Sequence, residues 1–191
     1  PEDNGDLVVR ASDGSIPPRV LVSSPYSDIW PYWSRNGDWL TYATFPELHG
    51  LENKTGGDIW YIALTGDRIP KPFIQEATDE IMPVLSPDSR YLAYVSWRSG
   101  RQEIYVRSFP DGRNRIQISN NGGSNPCWVD GNLFYLEEGT ESPRLMVVQT
   151  GTRSGFRAEK PQALFNYKNA GISIPRRVGL GGGRYFLPYT Y

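Results

Sequence analysis

The segment Pro83-Val84-Leu85-Ser86-Pro87-Asp88-Ser89-Arg90-Tyr91-Leu92-Ala93-Tyr94 recurs, with substitutions, at two other places in the chain. One copy is Pro31-Tyr32-Trp33-Ser34-Arg35-Asn36-Gly37-Asp38-Trp39-Leu40-Thr41-Tyr42, and a shorter one is Pro126-Cys127-Trp128-Val129-Asp130-Gly131-Asn132-Leu133-Phe134-Tyr135. Each copy begins with a proline and apolar residues, passes through a turn and enters a second apolar stretch. A tandem repeat of this kind indicates that the chain is built from copies of one small unit.

The residues between the two apolar stretches favour tight turns. Pro87 presets the backbone for the second turn position, and the side chain of Asp88 can bond to nearby backbone. Asn36-Gly37 and Asp130-Gly131 accept the positive φ that a two-residue hairpin turn requires. The sequence therefore predicts an antiparallel hairpin at each copy.

Two further strands are predicted after each hairpin. A third strand is expected at residues 58–61, 103–106 and 144–147, and each is followed by a turn that contains glycine. A more polar fourth strand is expected at residues 71–74, 115–118 and 162–165. Four antiparallel strands repeated every 40 to 50 residues, roughly, are the signature of a β-propeller blade.

The ends of the chain fit the same phase. Residues 7–10 match the third strand at 104–107, and a weaker fourth copy starts near Pro175 and continues to residue 187. The two half blades could join in a four-blade ring, or the chain could be an arc of a larger ring, which its start without methionine and its abrupt stop favour. The predicted units are a half blade at 6–24, blades at 29–80, 81–123 and 124–171, and a half blade at 172–191.

Glycine and proline restrict helix formation along the whole chain. The 191 residues include 20 glycines and 16 prolines, and each of these costs roughly 1 or 3 kcal/mol, respectively, inside a helix. The longest stretch without either, residues 88–99, is rich in aromatic and β-branched residues, which suit strands. The predicted fold class is therefore all-β, a propeller of four-stranded antiparallel blades.

Charge, cysteine content and hydropathy exclude several classes of function. A net charge of −1 supplies no long-range attraction for nucleic acid or an anionic membrane. One cysteine, Cys127, is too few for an internal disulfide or a cysteine-based metal cluster. The longest apolar run, residues 59–64, is too short to cross a bilayer. We expect no nucleic-acid partner, no membrane insertion by this segment and no cofactor.

The repeats resemble the WD40-like repeats of the TolB family of propellers. That family's blades carry a Pro-x-Trp-Ser-Pro-Asp-Gly turn, from which the three copies depart at Arg35-Asn36, at Ser89 and at Val129-Asp130. The resemblance implies the propeller fold, a protein-binding role in the periplasm and an absence of catalytic residues.

A narrower resemblance covers residues 122–135, 145–148 and 161–165, together with Phe156. These residues resemble propellers at the C-terminal end of some bacterial membrane Ser/Thr kinase-like and regulator-like proteins, which implies an extracytoplasmic sensing or docking module. Similar repeats also form the substrate-gating propeller of prolyl-oligopeptidase-type serine peptidases. A gating propeller of such a peptidase is therefore an alternative prediction for the function.

Few residues in the chain suit catalysis. His49 is the only histidine, and no Gly-x-Ser-x-Gly segment occurs, so a serine hydrolase triad lacks its parts. Glycoside chemistry uses paired carboxylates, and Glu137, Glu138 and Glu141 form an acidic cluster that a solvated hairpin tip also explains. We predict no enzyme activity and no catalytic or metal-binding residue, with a carboxylate-based glycoside-active propeller as a further alternative.

Two groups of residues are predicted to contact a partner. The insertion at residues 45–57 is longer than most connections and holds Leu48, His49 and Leu51. Trp97, Arg98 and Arg101 lie close in sequence to further arginines, and Arg and Trp are enriched at interfaces, although arginine stems that cover aromatic rings are an alternative explanation. The expected partner is a protein, and exposed blade edges could also pair with a second copy of the chain.

Overall fold

The structure is a computed structural model that describes residues 5–45, 56–138 and 143–166. Within these ranges the chain forms strands, turns and loops and no helix, so the all-β prediction is confirmed. The predicted contact residues Leu48, His49 and Leu51, the acidic residue Glu141 and the predicted half blade at 172–191 lie outside the described residues.

The strands form three four-stranded antiparallel sheets, preceded by a two-stranded pair. The pair consists of β1 (Leu7–Val9) and β2 (Arg19–Val22). The first sheet holds β3 (Ser27–Trp33), β4 (Trp39–Phe45), β5 (Asp58–Ala63) and β6 (Lys71–Ile74). The second holds β7 (Glu80–Leu85), β8 (Tyr91–Ser96), β9 (Glu103–Ser108) and β10 (Ile116–Gln117).

The third sheet has an insertion between its last two strands. It holds β11 (Ser124–Val129), β12 (Asn132–Glu137), β13 (Arg144–Val148) and β16 (Gln162–Asn166), and the small hairpin of β14 (Thr150–Gly151) and β15 (Arg157–Ala158) lies between β13 and β16. In each sheet the strands follow one another in chain order, as the repeat predicts. The predicted third and fourth strands all coincide with strands of the structure.

A separate apolar core fills each space between neighbouring sheets. Leu7 and Val22 of the N-terminal pair pack with Leu40 and Tyr42 of the first sheet. The next core joins the first and second sheets, and the third joins the second and third sheets. The alternation of side chains along β8 supplies both of these cores, because Leu92 and Tyr94 face the first sheet while Tyr91, Ala93 and Val95 face the third.

The turns between the first two strands of the first and second sheets use one hydrogen-bonding scheme. The Ser34 hydroxyl donates to Asn36 and accepts from the Trp39 N–H, and the Ser86 hydroxyl likewise donates to Asp88 and accepts from the Tyr91 N–H. Both turns also place one residue at positive φ. This residue is glycine in the first sheet and serine in the second, with φ of 78° at Gly37 and 54° at Ser89.

The repeat prolines lie within the first strand of each sheet rather than at its beginning. Each proline follows a residue at positive φ, and the pairing register with the second strand shifts at the same place. The first strand lies at the edge of its sheet, where a bulge tolerates a residue without an N–H. The residues at positive φ are Trp30, Met82 and Asn125.

Candidate functional site

The described residues among those predicted to contact a partner, Trp97, Arg98 and Arg101, lie in the β8–β9 loop at one end of the sheets. Connections alternate between the two ends of an antiparallel sheet, so the β4–β5, β8–β9 and β12–β13 loops share an end, which we call the loop end. Backbone hydrogen bonds tie neighbouring sheets together there, from Glu80 to Gly57 at 2.7 Å and from Gly123 to Gln102 at 2.9 Å. The tight turns between first and second strands lie at the opposite end, which we call the turn end.

Trp97 is anchored by the sheets that flank it. Its side chain is half-buried and packs against the core between the second and third sheets. Its backbone N–H donates to the carbonyl of Asp79 at 3.2 Å, and the Asp79 carboxylate accepts from the Gly57 N–H at 2.7 Å. The β8–β9 loop is therefore fixed against the loop that connects the first and second sheets.

Arg98 belongs to a network centred on one carboxylate. Its guanidinium lies 2.7 Å from Glu76, to which Arg107 also donates and which Arg115 contacts at 3.2 Å. Burial works against ionisation of this carboxyl, but hydrogen bonding and charge from Arg107, followed by the charges of Arg115 and Arg98, hold the pKa of Glu76 below its ordinary value. Glu76 follows the last strand of the first sheet, so the network joins the first sheet to the second.

Arg101 belongs to a second network. Its guanidinium lies 2.6 Å from the buried carboxylate of Glu103 and also donates to the carbonyl of Asn120. Glu103 additionally accepts from the Ser119 hydroxyl and from the Gly122 N–H. This carboxylate therefore holds the loop between the second and third sheets against the β8–β9 loop.

The acidic residues of the β12–β13 region also have internal partners. Glu137 is buried and accepts from Arg144, whose Nε lies 2.8 Å from Oε2. Glu138 accepts from the Ser124 hydroxyl at 3.0 Å. The two described members of this cluster are thus bound to the sheet beneath them.

Besides Glu103, two buried carboxylates at the loop end were missed by the sequence analysis. Asp28 and Glu80 are 0% and 1% exposed, and in the part of the chain that the structure describes Asp28 Oδ2 and Glu80 Oε2 have no hydrogen-bond partner. Burial raises the pKa of Asp28 to about 6 even though Ser24 donates to it. Burial also raises the pKa of Glu80, which accepts from Thr78 and Ser96 at 2.6 and 2.8 Å.

A sequence signal for this pair exists in the repeat. Asp28 and Glu80 each precede the repeat proline by the same number of residues, and Gly123 takes that place in the third copy. A Cβ on Gly123 would lie 2.6 Å from the Ser119 hydroxyl, so the third sheet has no room for a side chain there. The repeat could therefore have located the carboxylates, but not their burial.

Residues 5–45, 56–138 and 143–166 contain neither a metal-binding cluster nor a membrane-spanning helix. In these ranges no three His, Cys, Asp or Glu side chains are placed to hold a metal ion. No helix in the same ranges is long and apolar enough to span a bilayer.

Comparisons with known proteins identify the fold. No family model and no curated protein sequence matches the chain. Among solved structures, TolB from Acinetobacter baumannii aligns with a TM-score of 0.61 and 16% identity over 80% of this chain and 37% of that one. A puromycin-hydrolyzing peptidase of Mycobacterium tuberculosis aligns with a TM-score of 0.59 and 21% identity over 86% of this chain and 28% of that one.

An enzyme that acts on a carbohydrate also shares the architecture. An oligogalacturonate lyase in complex with manganese aligns with a TM-score of 0.61 and 12% identity over 84% of this chain and 49% of that one. The chain thus spans about half or less of the length of these three proteins. At such low identities the likeness shows the fold alone, and that fold is the TolB-like β-propeller.

Proposed function

We propose that this propeller segment is a non-catalytic docking module whose loop end contacts a protein partner. One observation carries the proposal: the charged side chains of the loop end that the sequence singled out are held by other protein groups. They are Arg98, Arg101, Glu137 and Glu138. Catalysis needs a base or nucleophile that can reach substrate, whereas loops fixed by ion pairs give a rigid surface for docking.

The chemistry of the surface fits a protein partner. The side chains of Arg98 and Arg101 are 49% and 55% exposed while each keeps its internal carboxylate. An arginine that is oriented in this way retains free N–H donors and loses little conformational entropy on binding. Leu48, His49 and Leu51 are proposed to extend the same surface, because their loop leaves β4 at the loop end.

Site-specific crosslinking tests the location of the surface. A photoreactive amino acid would be placed at Ser99 or Arg101 on the loop end, and at Asp67 or Ile69 on the turn end, in the chain expressed in bacterial cells. We expect a discrete crosslinked protein from the loop-end positions and none from the turn-end positions. Equal crosslinking from both ends, or none from the loop end, would refute the proposal.

Location outside the cytoplasm is a second part of the proposal. It is supported by the likeness to TolB from Acinetobacter baumannii and by the TolB-type repeat. Cysteine accessibility tests it in cells that express the natural full-length protein: Cys127 is exposed and should react with a thiol reagent that does not cross the inner membrane. Labelling only after lysis would contradict this location.

An enzyme-associated role is the alternative, because the chain also resembles part of a peptidase and of a lyase. In that case the segment would gate or support catalytic residues that another domain supplies, or act on glycosides through its own carboxylates. A fluorophosphonate probe and a panel of oligosaccharides separate these possibilities. We expect no labelling and no glycan turnover; turnover that Glu137→Gln or Glu138→Gln abolishes would establish the enzyme instead.

A further inference from the structure

The turn end carries a pocket that the repeat alone does not explain. It has a volume of about 240 Å³ and is lined by turns of all three sheets and by the inserted hairpin β14–β15; the lining residues include Arg35, Asp88, Trp128, Asp130 and Thr152. Drug-sized ligands occupy pockets of roughly 300–1,000 Å³. The pocket therefore suits a smaller molecule.

The inserted hairpin is held in place as a wall of this pocket. Arg90 donates to the carbonyl of Thr152 at 2.8 Å. Phe156 packs against Tyr91 and Trp128, with ring centroids 5.1 and 6.3 Å away. The first and second sheets have only short connections at the corresponding place, so the wall is a specific addition to the third sheet.

Two oppositely charged, exposed side chains line the pocket without a protein partner within the described ranges. Among the described residues neither the Arg35 guanidinium nor the Asp130 carboxylate has a hydrogen bond or an ion pair. Asp88 differs, because its carboxylate accepts from the Ser86 hydroxyl at 2.6 Å and from the Arg90 N–H at 3.2 Å. The pocket thus offers one free cation and one free anion beside a second, oriented carboxylate.

We propose that this pocket binds a free α-amino acid. A carboxylate would pair with the Arg35 guanidinium, which can donate two parallel hydrogen bonds, and an α-ammonium group would pair with Asp130 and Asp88. A simple anion does not fit as well, because two carboxylates line the same space. A sugar is disfavoured because Trp128 is only 8% exposed and offers almost no ring face for stacking.

Calorimetric titration of the 191-residue chain with each of the twenty free amino acids tests the proposal. We expect saturable binding of at least one of them. Its methyl ester lacks the carboxylate and its N-acetyl form lacks the ammonium group, so each should bind at least about tenfold more weakly. Glucose serves as the sugar probe and should not bind.

Variants locate the binding to the pocket. Arg35→Gln and Asp130→Asn should each weaken binding at least about tenfold, and asparagine also tolerates the positive φ of Asp130. Arg113→Gln and Asp67→Asn change matched charges at the turn end outside the pocket and should leave binding unchanged, with thermal melting as the check on folding. Absence of binding by every amino acid, equal binding of the blocked forms, binding of glucose alone, or full affinity in both pocket variants would overturn the proposal.

Discussion

At the scale of single residues, Ser89 occupies a backbone conformation that the equivalent turn assigns to glycine. Its φ is 54°, and Gly37 has 78° in the first sheet. A left-handed conformation costs a residue with a side chain roughly 1–2 kcal/mol, while glycine loses more entropy on folding. We expect Ser89→Gly to raise the free energy of unfolding by about 0.5–1 kcal/mol, measured by urea denaturation.

The first sheet supplies the reciprocal control for this prediction. Gly37→Ser should lower the free energy of unfolding by a similar amount. Only the Trp33 indole lies within 4 Å of the added Cβ, so the decrease would come from the backbone conformation and not from a steric clash. A loss of stability in Ser89→Gly would mean that the weak contact of its hydroxyl with Asn36, at 3.4 Å, matters more than the backbone.

Asp28 should make stability depend on pH. Its folded pKa of about 6 lies above the ordinary value of 3.8, so between these values the unfolded state has lost the proton while the folded state keeps it. The contribution of Asp28 to the free energy of unfolding therefore falls as pH rises from about 4 to about 6, by at most about 3 kcal/mol, and is constant above that. Asp28→Asn should remove this part of the decline, measured as urea midpoints across the range.

Glu80→Gln provides the comparison for Asp28, because burial raises the pKa of Glu80 as well. Glu80→Gln should therefore also reduce the fall in the free energy of unfolding with rising pH, and its effect should be independent of that of Asp28→Asn. Parallel pH curves for Asp28→Asn and the unchanged chain would show that Asp28 ionises in the folded state as it does in water.

At the scale of elements, the Glu76 network joins the first sheet to the second. Glu76→Gln removes the charge that Arg98, Arg107 and Arg115 share. We expect the free energy of unfolding to fall by about 1 kcal/mol after allowance for solvent screening. The decrease should be smaller in high salt. Because the pKa of Glu76 is lowered in the fold, its contribution should also disappear as pH falls through that pKa.

The exposed pair of Arg113 and Asp111, at 3.6 Å, is the matched control for this element. Asp111→Asn removes a carboxylate from one arginine within a single loop, so it should leave the urea midpoint unchanged. If Glu76→Gln behaved in the same way, the network would contribute nothing to the contact between the two sheets.

The strands could be predicted from the repeat, but most contacts of the candidate site could not. Turn residues such as Asn36-Gly37 have local conformational preferences, and these can be seen in the sequence. The approach of Glu76 to Arg107 depends on how two sheets stack, which no local pattern records. The hairpin around Phe156 is likewise an insertion, so the period of the repeat contains no signal for it.

At the scale of the whole molecule, apolar side chains are exposed on both outer faces of the stack that the described sheets form. Val8 and Val20 are 55% and 52% exposed on the N-terminal pair, and Val129 and Phe165 are 47% and 41% exposed on the third sheet. Burying such surface yields roughly 25 cal/mol per Å². We therefore propose that the chain associates with a second copy through these faces.

Sedimentation velocity between about 1 and 100 µM, a range that reports micromolar dissociation constants, tests this association. The sedimentation coefficient should rise with concentration, and Val20→Glu should return the chain to the monomer, because a carboxylate opposes burial of that face. Ile69→Glu is the matched control, since Ile69 is 56% exposed but lies in the β5–β6 connection. A concentration-independent monomer, or equal effects of the two substitutions, would show that these faces do not bind another copy.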